Sequence, residues 1–281
     1  MIKKATALCA IIVCLASAAV GVAADVDEFT KATQNPLAHI ISVPFQNNTS
    51  FNIGPFDRTQ NMLNVQPVIP FQAGPVTFAS RTIIPVMWQP DVAAETGTTT
   101  GLGDINTTLF ISPSTSGTVI WGVGPMISFP TASEENVAKG MGYGKWGLGP
   151  SFVILAQPHR WTIGLLLENG WSVAGDDKYA DVNAGLAQPF VIYNVGRGWN
   201  VTTAPKIVAD WKRDSADRWF VPVGGGGGKL LHLGKLPINT SVQGYYYVVH
   251  PEVHEDPDPL LNVPYPKWTL RAGATFFLPG I

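Results

Sequence analysis

A run of five glycines that ends in a lysine, Val221–Lys229 (VPVGGGGGK), has the composition of a loop that binds nucleotide phosphates. A P-loop needs a glycine, four further residues and then Gly-Lys-Ser/Thr, because its backbone N–H groups surround the phosphates and its hydroxyl reaches a metal ion. Counted back from Gly228 and Lys229, the first glycine position holds Val223, and the residue after the lysine is Leu230. Two required positions therefore fail, and no nucleotide site is predicted here.

A second stretch with ligand chemistry is HPEVHEDPD at 250–258, where His250 and His254 stand among several acidic residues. Zinc enzymes place two histidines on one face of a helix, and the prolines in this stretch prevent such a helix. We therefore expect a solvated outer loop, with weak binding of a divalent cation as the alternative. No metal site and no cofactor are predicted for the chain.

The remaining histidines do not complete a catalytic site. His159 and His232 fall in predicted turns, and only His39 lies within a predicted strand, where the sequence places no serine partner beside it. The Gly-x-Ser-x-Gly elbow of many hydrolases is missing as well, although that motif belongs to another fold. We expect no enzymatic activity, and a barrel enzyme that acts on lipid is the alternative.

The first 24 residues have the organisation of a secretory signal peptide. Lys3 and Lys4 precede an apolar run, and the run ends in the small residues VAA at 22–24. A basic region, a hydrophobic region and a small-residue cleavage site in this order are typical of exported proteins. Both cysteines of the chain lie inside this segment, so the mature protein has neither disulfides nor thiolate metal sites.

Charge and composition argue against nucleic acid as a partner. The formal net charge is −2, and loss of two lysines with the signal peptide makes it −4, whereas nucleic-acid binding usually needs a basic stripe. Only 14% of the residues are charged and 46% are hydrophobic. For an exported chain without an apolar run of helical membrane-spanning length, this composition leaves an apolar surface to be explained.

Alternation of apolar and polar residues predicts strands through most of the mature chain. From Trp161 to Val173 the odd positions are mostly large and apolar, and the even ones are mostly Gly, Ser, Thr or Glu, which is the period of a β-strand. The same alternation occurs in Val119–Phe129 and Trp268–Leu278. A soluble two-sheet sandwich would also alternate. Strands of about 10–13 residues can cross a bilayer when tilted, and tryptophans near their ends are typical of interfacial girdles.

The lengths of the connections favour a membrane barrel over a sandwich. Short connections alternate with long or medium ones, as in bacterial outer-membrane barrels with short periplasmic turns and longer extracellular loops. The fold class is therefore all-β: a single antiparallel transmembrane β-barrel of about twelve strands. Long loops are predicted at 47–60, 89–102, 131–144 and 251–265, and strands at 37–46, 61–72, 76–88, 103–112, 118–130, 145–156, 160–173, 181–194, 199–212, 218–230, 235–250 and 266–278.

This interpretation divides the chain into a signal peptide at 1–24, an N-terminal periplasmic segment at 25–36 and an outer-membrane barrel at 37–281. Within the second part, DEFTKAT predicts a short helix before Asn35-Pro36. That helix either plugs the lumen or lies in the periplasm. Outer-membrane lipid and the outer-membrane insertion machinery are the expected partners.

Several segments together resemble a known bacterial family: SVPFQNNTSFNIGP (42–55), QNMLNVQPVIPF (60–71), GLGDI (101–105), KWGLGPSFV (145–153) and DRWFVPVGGGGGK (217–229). Over nearly the whole mature chain, the sequence is similar to the outer-membrane β-barrel family named after the MetA pathway of phenol degradation. Members of that family are often labelled "transporter" or "neuromedin U". The resemblance implies a Gram-negative outer-membrane barrel that moves hydrophobic or aromatic compounds, and it implies no catalytic residues.

The polar faces of the strands supply the candidates for solute contact. Charged residues there either line a permeation path and select solutes, as charged rings do in channels, or pair across the barrel and brace it. For Asp104, which follows Gly103 at a strand start, we expect a structural role in a turn. If the polar faces line the lumen, the inward charges are Arg81, Asp104, Glu168, Lys206, Asp210 and Arg271.

The expected function is passive movement of small solutes, hydrophobic or aromatic ones among them, through a porin-like channel or transporter. The alternatives are the lipid enzyme named above and a non-conducting structural all-β envelope protein. The glycine run then belongs to the barrel wall, where glycine permits a bend or lets a neighbouring side chain lie against bare backbone. Tyr245, Tyr246 and Tyr247 on the next strand are the candidates for that side chain.

Overall fold

The structure is a computed structural model that describes residues 26–92, 94–114, 117–251 and 265–278. The predicted signal peptide and most of the histidine-rich stretch at 250–258 lie outside the described residues. The helices are α1 (26–32) and α2 (Glu134–Ala138), and the strands are β1 (Ile41–Ile53), β2 (Arg58–Val65), β3 (Val68–Ala73), β4 (Val76–Pro90), β5 (Thr98–Leu102), β6 (Ile105–Pro113), β7 (Val119–Phe129), β8 (Lys145–Ala156), β9 (Trp161–Gly175), β10 (Asn183–Gly196), β11 (Trp199–Thr203), β12 (Ile207–Asp210), β13 (Trp219–Leu233), β14 (Leu236–Val249) and β15 (Trp268–Leu278).

These strands combine into the twelve wall strands of one closed barrel. β2 and β3 follow one another along a single wall strand, as do β5 with β6 and β11 with β12. Neighbours are antiparallel throughout, and the wall closes between β1 and β15, where Ile41 faces Leu278 and Phe51 faces Trp268. The predicted antiparallel barrel of about twelve strands is confirmed. Within the described part of the chain, no helix combines the length and apolar character needed to span a bilayer.

The two faces of the wall follow the alternation in the sequence. Along β9, Trp161, Ile163 and Trp171 point outward and are 42%, 46% and 44% exposed. Thr162, between the first two, points inward and is fully buried, and Leu166 also lies inside. Successive side chains of a strand point to opposite faces, so the barrel has an apolar outer surface and a mostly polar lumen.

Half or more of each of two predicted loops is strand. β1 begins at Ile41 and ends at Ile53, whereas the prediction ended that strand at residue 46, and β5 occupies Thr98–Leu102 in the predicted loop 89–102. The polar stretch after residue 46 pairs inside the wall: the hydroxyls of Ser50 and Thr269 lie 2.9 Å apart. Polar residues do not mark a loop when one face of the strand lines a polar lumen.

The barrel has two different ends. At one end, here called the turn end, short turns follow β3, β6, β8, β10 and β13; at the other, the loop end, the connections after β7 and β9 are longer. The segment 26–39, which precedes β1, lies inside the turn end, where Leu37 packs in an apolar cluster. Its neighbours there are Ala79, Phe110, Val153, Leu166 and Ile120.

The glycine run lies in β13 and presses against the backbone of both neighbouring strands. A Cβ atom at Gly226 would overlap the carbonyl oxygen of Val242 on β14, and one at Gly225 would lie 2.7 Å from the carbonyl oxygen of Thr202 on β11. The expectation that a tyrosine ring covers these glycines is therefore wrong at these positions. Close approach of main chains on both sides is what requires the missing side chains.

Candidate functional site

Polar contacts fix the N-terminal segment inside the turn end of the lumen. The Gln34 amide donates to Asn194 Oδ1 over 2.7 Å, and its oxygen accepts from Thr162 Oγ1 over 2.7 Å. Gln157 Nε2 donates to the carbonyl oxygen of Lys31 over 2.7 Å. With the apolar cluster around Leu37, these bonds fix the segment inside the turn end of the lumen.

His39 belongs to the same segment and not to a strand, because β1 begins only at Ile41. The prediction that placed His39 within a strand is therefore wrong. Its Nε2 lies 3.1 Å from Thr77 Oγ1, which is itself 3.1 Å from Ser114 Oγ. This contact fastens the segment before β1 to β4.

Four of the six predicted lumen charges lie on inward faces in the middle of the wall: Arg81, Glu168, Lys206 and Arg271. We call these four residues the charge belt. Lys206 lies close enough to the other three for their charges to act on it. Within the described parts of the chain, none of the four forms an ion pair with another residue.

Arg271 on β15 is held by neutral acceptors. Its Nε donates to Asn48 Oδ1 over 3.2 Å, and its Nη1 donates to the carbonyl oxygen of Ala204 over 2.9 Å. Its guanidinium carbon also lies 4.6 Å from the ring centroid of Tyr245. Only 7% of the residue is exposed. Its charge is therefore oriented and partly desolvated but is not neutralised.

Arg81 and Glu168 also have neutral partners. Arg81 Nη2 donates to Gln66 Oε1 over 3.1 Å. Glu168 Oε1 accepts from the hydroxyls of Thr108 and Ser151 over 3.1 and 2.9 Å. Hydrogen bonds from neutral groups stabilise a buried charge without cancelling it, so these residues keep their charges available to a solute.

The other two predicted lumen charges, Asp104 and Asp210, bind loop backbone. Asp104 lies between β5 and β6 and accepts from the N–H groups of Ala132 over 3.0 Å and Tyr143 over 2.6 Å. Asp210 ends β12, accepts from the N–H group of Lys212 over 3.0 Å and forms an ion pair with Arg213 Nε at 3.1 Å. The structure thus separates them from the charge belt, and it places Asp104 as an anchor for the loop after β7.

That loop is also tied to the loop after β9. Lys178 pairs with Glu134 of α2, and this hydrogen bond raises the pKa of Lys178 to about 12. Lys145 Nζ lies 2.7 Å from Asp181 Oδ1, and the hydrogen bond lowers the pKa of Asp181. Both lysines therefore connect the loop after β9 to the neighbouring part of the loop end at neutral pH.

Sequence reasoning missed the neutral residues that hold the charge belt. Asn48, Gln66, Gln243 and Tyr245 orient its arginines, and Gln34 fixes the N-terminal segment. Asn48 fell in a predicted loop, and Gln66 lay unremarked in a predicted strand. The alternation along the strand predicts that Gln243 faces the lumen, since its neighbour Val242 faces outward. No group of metal-ligating side chains is found among the described residues.

Comparisons with known proteins agree with the barrel fold. No protein-family model matches the chain, and no curated protein matches it either. Among solved structures, an outer membrane channel from Pseudomonas putida F1 has a TM-score of 0.63 at 15% identity, covering 85% of this chain and 94% of that one. The NanC porin has a TM-score of 0.51 at 11% identity, covering 85% of this chain and all of that one.

Outer membrane phospholipase A from Escherichia coli has a TM-score of 0.45 at 12% identity, covering 84% of this chain and 90% of that one. A likeness this weak carries no argument about activity. At these identities, the two stronger matches show that the chain shares its fold with outer-membrane barrels.

Proposed function

We propose that this protein is an outer-membrane channel that moves small solutes passively, hydrophobic or aromatic ones among them. The observation that carries the proposal is the charge belt: four charged side chains face the lumen, and none forms an ion pair with another described residue. Charges that only braced a closed barrel would be expected to pair with one another, because unpaired charges are costly to desolvate. Charges that meet a passing solute need to stay available.

The outer surface supports a location in the outer membrane. Large apolar side chains cover it, and tryptophans such as Trp161 and Trp219 lie at the ends of strands, where membrane interfaces favour them. The segment 26–39, which lies inside the turn end, acts as the gate in this proposal. We also propose membership of the MetA-pathway family, which the motifs of the sequence resemble, with lipid and the insertion machinery as partners.

The first test measures conductance of the purified full-length protein in planar bilayers, beside a Gln34→Ala variant. The variant loses the hydrogen bonds of Gln34 to Thr162 and Asn194, so we expect the native protein to conduct weakly and the variant to conduct at least about twice as much. Thr240→Ala, on the wall away from the gate, serves as the matched control and should behave as the native protein does.

Heat-modifiable migration in detergent electrophoresis identifies the folded barrel in each sample. Folded protein that conducts in neither form contradicts the channel. Release of fatty acid from phospholipid vesicles by such protein would instead favour the lipid enzyme. A solute-uptake panel in proteoliposomes then ranks small aromatic acids against sugars of similar size.

A further inference from the structure

The wall is interrupted between β11 and β12, where residues 204–206 leave the sheet. On the β10 side, Thr203 faces Val191 and Ile207 faces Ala187, and no pairing joins the three residues that lie between on each strand. On the β13 side, Thr202 faces Gly226 and Val208 faces Phe220, and no pairing joins the five residues that lie between on each of these two strands. The register is the same above and below, so the chain bows out of the wall without an inserted residue.

Prolines explain why the main chain does not pair here. Continuing the register across the interruption puts Pro189 of β10 opposite Pro205, and Pro222 of β13 opposite Lys206. Proline has no N–H group to donate to a ladder, so donors are missing on three adjacent wall strands at one level. We call this unpaired region the wall gap.

The bowed segment moves into the lumen. Ala204 N–H donates to the Tyr245 hydroxyl over 2.9 Å, and its carbonyl oxygen accepts from Arg271 over 2.9 Å. Tyr245 lies two wall strands away and Arg271 three, and wall strands are spaced about 4.8 Å apart. Side chains on the inner face reach Ala204 because the segment has left the wall towards them.

The bow also carries Lys206 into the charge belt. Lys206 follows Ala204 by two residues and lies close enough to Arg271, Arg81 and Glu168 for their charges to act on it. It makes no hydrogen bond with any described residue. Arg271 keeps its Nη2, and Arg81 its Nη1, without a hydrogen bond to the described parts of the chain. The belt therefore holds three cations and one acid, with free N–H donors on all three cations.

We propose that Lys206 and Arg271 bind the anionic group of a small amphiphilic organic acid, whose apolar part lies in the wall gap. The two cations stand on the inner side of the gap. Apolar residues border the gap: Pro189, Pro205 and Val223, of which Val223 is 49% exposed. An aromatic or short aliphatic carboxylate has both features. This site deepens the proposed function, because it names the solute class that the channel would select.

Binding is tested at equilibrium on full-length protein in non-ionic detergent, so that the result does not depend on a conducting pore. Isothermal titration calorimetry uses benzoate, acetate and benzyl alcohol, each corrected with protein-free micelles. We expect benzoate to bind at least about tenfold more tightly than either of the others, because only benzoate has both the charge and the apolar ring. Charge-assisted hydrogen bonds are worth a factor of this size.

Three variants assign the site, each checked for heat-modifiable migration. Lys206→Gln should weaken benzoate binding about tenfold and leave benzyl alcohol unchanged, whereas Lys206→Arg should retain benzoate. Lys229→Gln is the matched control, because Lys229 packs over Trp199, with Nζ 4.6 Å from the ring centroid, away from the belt. Equal binding of benzoate and acetate, or of benzoate to Lys206→Gln and native protein, would overturn the proposal even where bilayers conduct.

Discussion

Two wall strands are interrupted at a proline, and the two interruptions differ in what happens to the ladder. Between β2 and β3, at Gln66-Pro67, the Gln66 N–H donates to Pro44 over 2.8 Å, and the Pro67 carbonyl oxygen accepts from Thr82 over 3.0 Å. Main-chain bonds thus continue on both sides. Between β11 and β12, the main-chain groups of Ala204 bind side chains instead.

The difference lies in the strands beside each proline. Register places Pro205 opposite Pro189, so neither residue can donate across that pair. On both sides of Pro67 the chain stays paired: Val65 pairs with β1 and β4, and Ile69 pairs with β4. Pro67 and Pro44 each lie opposite a residue that still donates, so one bond of each facing pair remains and the wall stays closed. Facing prolines remove donors from both strands, and the segment is free to bow inward.

An arginine of the charge belt contacts each interruption. Arg81 binds the side chain of Gln66, and Arg271 binds the main chain of Ala204. Removal of Arg81 would break a hydrogen bond to a side chain only. Removal of Arg271 would break a hydrogen bond to the main chain, at the Ala204 carbonyl oxygen. This asymmetry makes the two arginines a natural pair for experiments.

The largest effect is expected from Gly226→Ala on the strand beside the wall gap. The new Cβ would overlap the carbonyl oxygen of Val242 and press on Gln243 Cα. Because neither backbone can withdraw without breaking the β13–β14 ladder, we expect a loss of about 3 kcal/mol in the free energy of unfolding, or failure to fold. Urea unfolding in detergent, followed by tryptophan fluorescence, measures it.

Gly244→Ala is the matched control, since Gly244 faces Gly225 across the same ladder. Its added Cβ would meet nothing within 4 Å. We expect this variant to unfold within about 0.5 kcal/mol of the native protein. Equal losses in both variants would show that the close approach of β13 to its neighbours is not what the glycines serve.

The second effect compares Arg271→Ala with Arg81→Ala. Each removes one positive charge from the lumen, so both should shift the reversal potential in a salt gradient towards cations. Only Arg271→Ala also releases the Ala204 carbonyl oxygen and the Tyr245 ring contact, and it should cost about 2 kcal/mol more in unfolding free energy. Equal stability of the two variants would mean that Arg271 does not hold the bow.

Much of the wall was predictable, because a lipid-facing surface forces strict alternation on each strand. The parity along β9 identifies Glu168 as inward and Leu167 as outward without a structure. The same alternation does not show how far along the barrel axis a residue lies. The alternation therefore grouped Asp104 and Asp210 with the belt, although both accept hydrogen bonds from loop backbone.

The wall gap was beyond the sequence for a related reason. Pro189 and Pro205 are 16 positions apart in the chain and face each other only through the β10 register. A shift of one residue in the pairing of two strands changes every facing pair. Residues 47–53 were predicted as part of a loop for another reason. The stretch is polar, and two of its polar residues, Asn48 and Ser50, lie on the lumenal face of β1.

The smallest effect is expected from Tyr245→Phe, which removes the hydroxyl that accepts from Ala204 N–H. The hydroxyl also donates to Gln243 Oε1 over 2.6 Å. Leaving that buried N–H without its partner should cost about 1 kcal/mol and raise its hydrogen exchange rate, because the bowed segment has no ladder to replace the bond. Hydrogen–deuterium exchange with mass spectrometry follows peptides that contain Ala204 and Thr82.

Thr82 reports on the closed interruption, since its N–H donates to Pro67 within the ladder and has no tie to Tyr245. Its exchange should stay unchanged. Tyr246→Phe is the control substitution, because Tyr246 faces outward and is 57% exposed. Faster exchange at both reporters would mean that the wall loosens as a whole, and unchanged exchange at Ala204 would mean that side chains do not hold the bow.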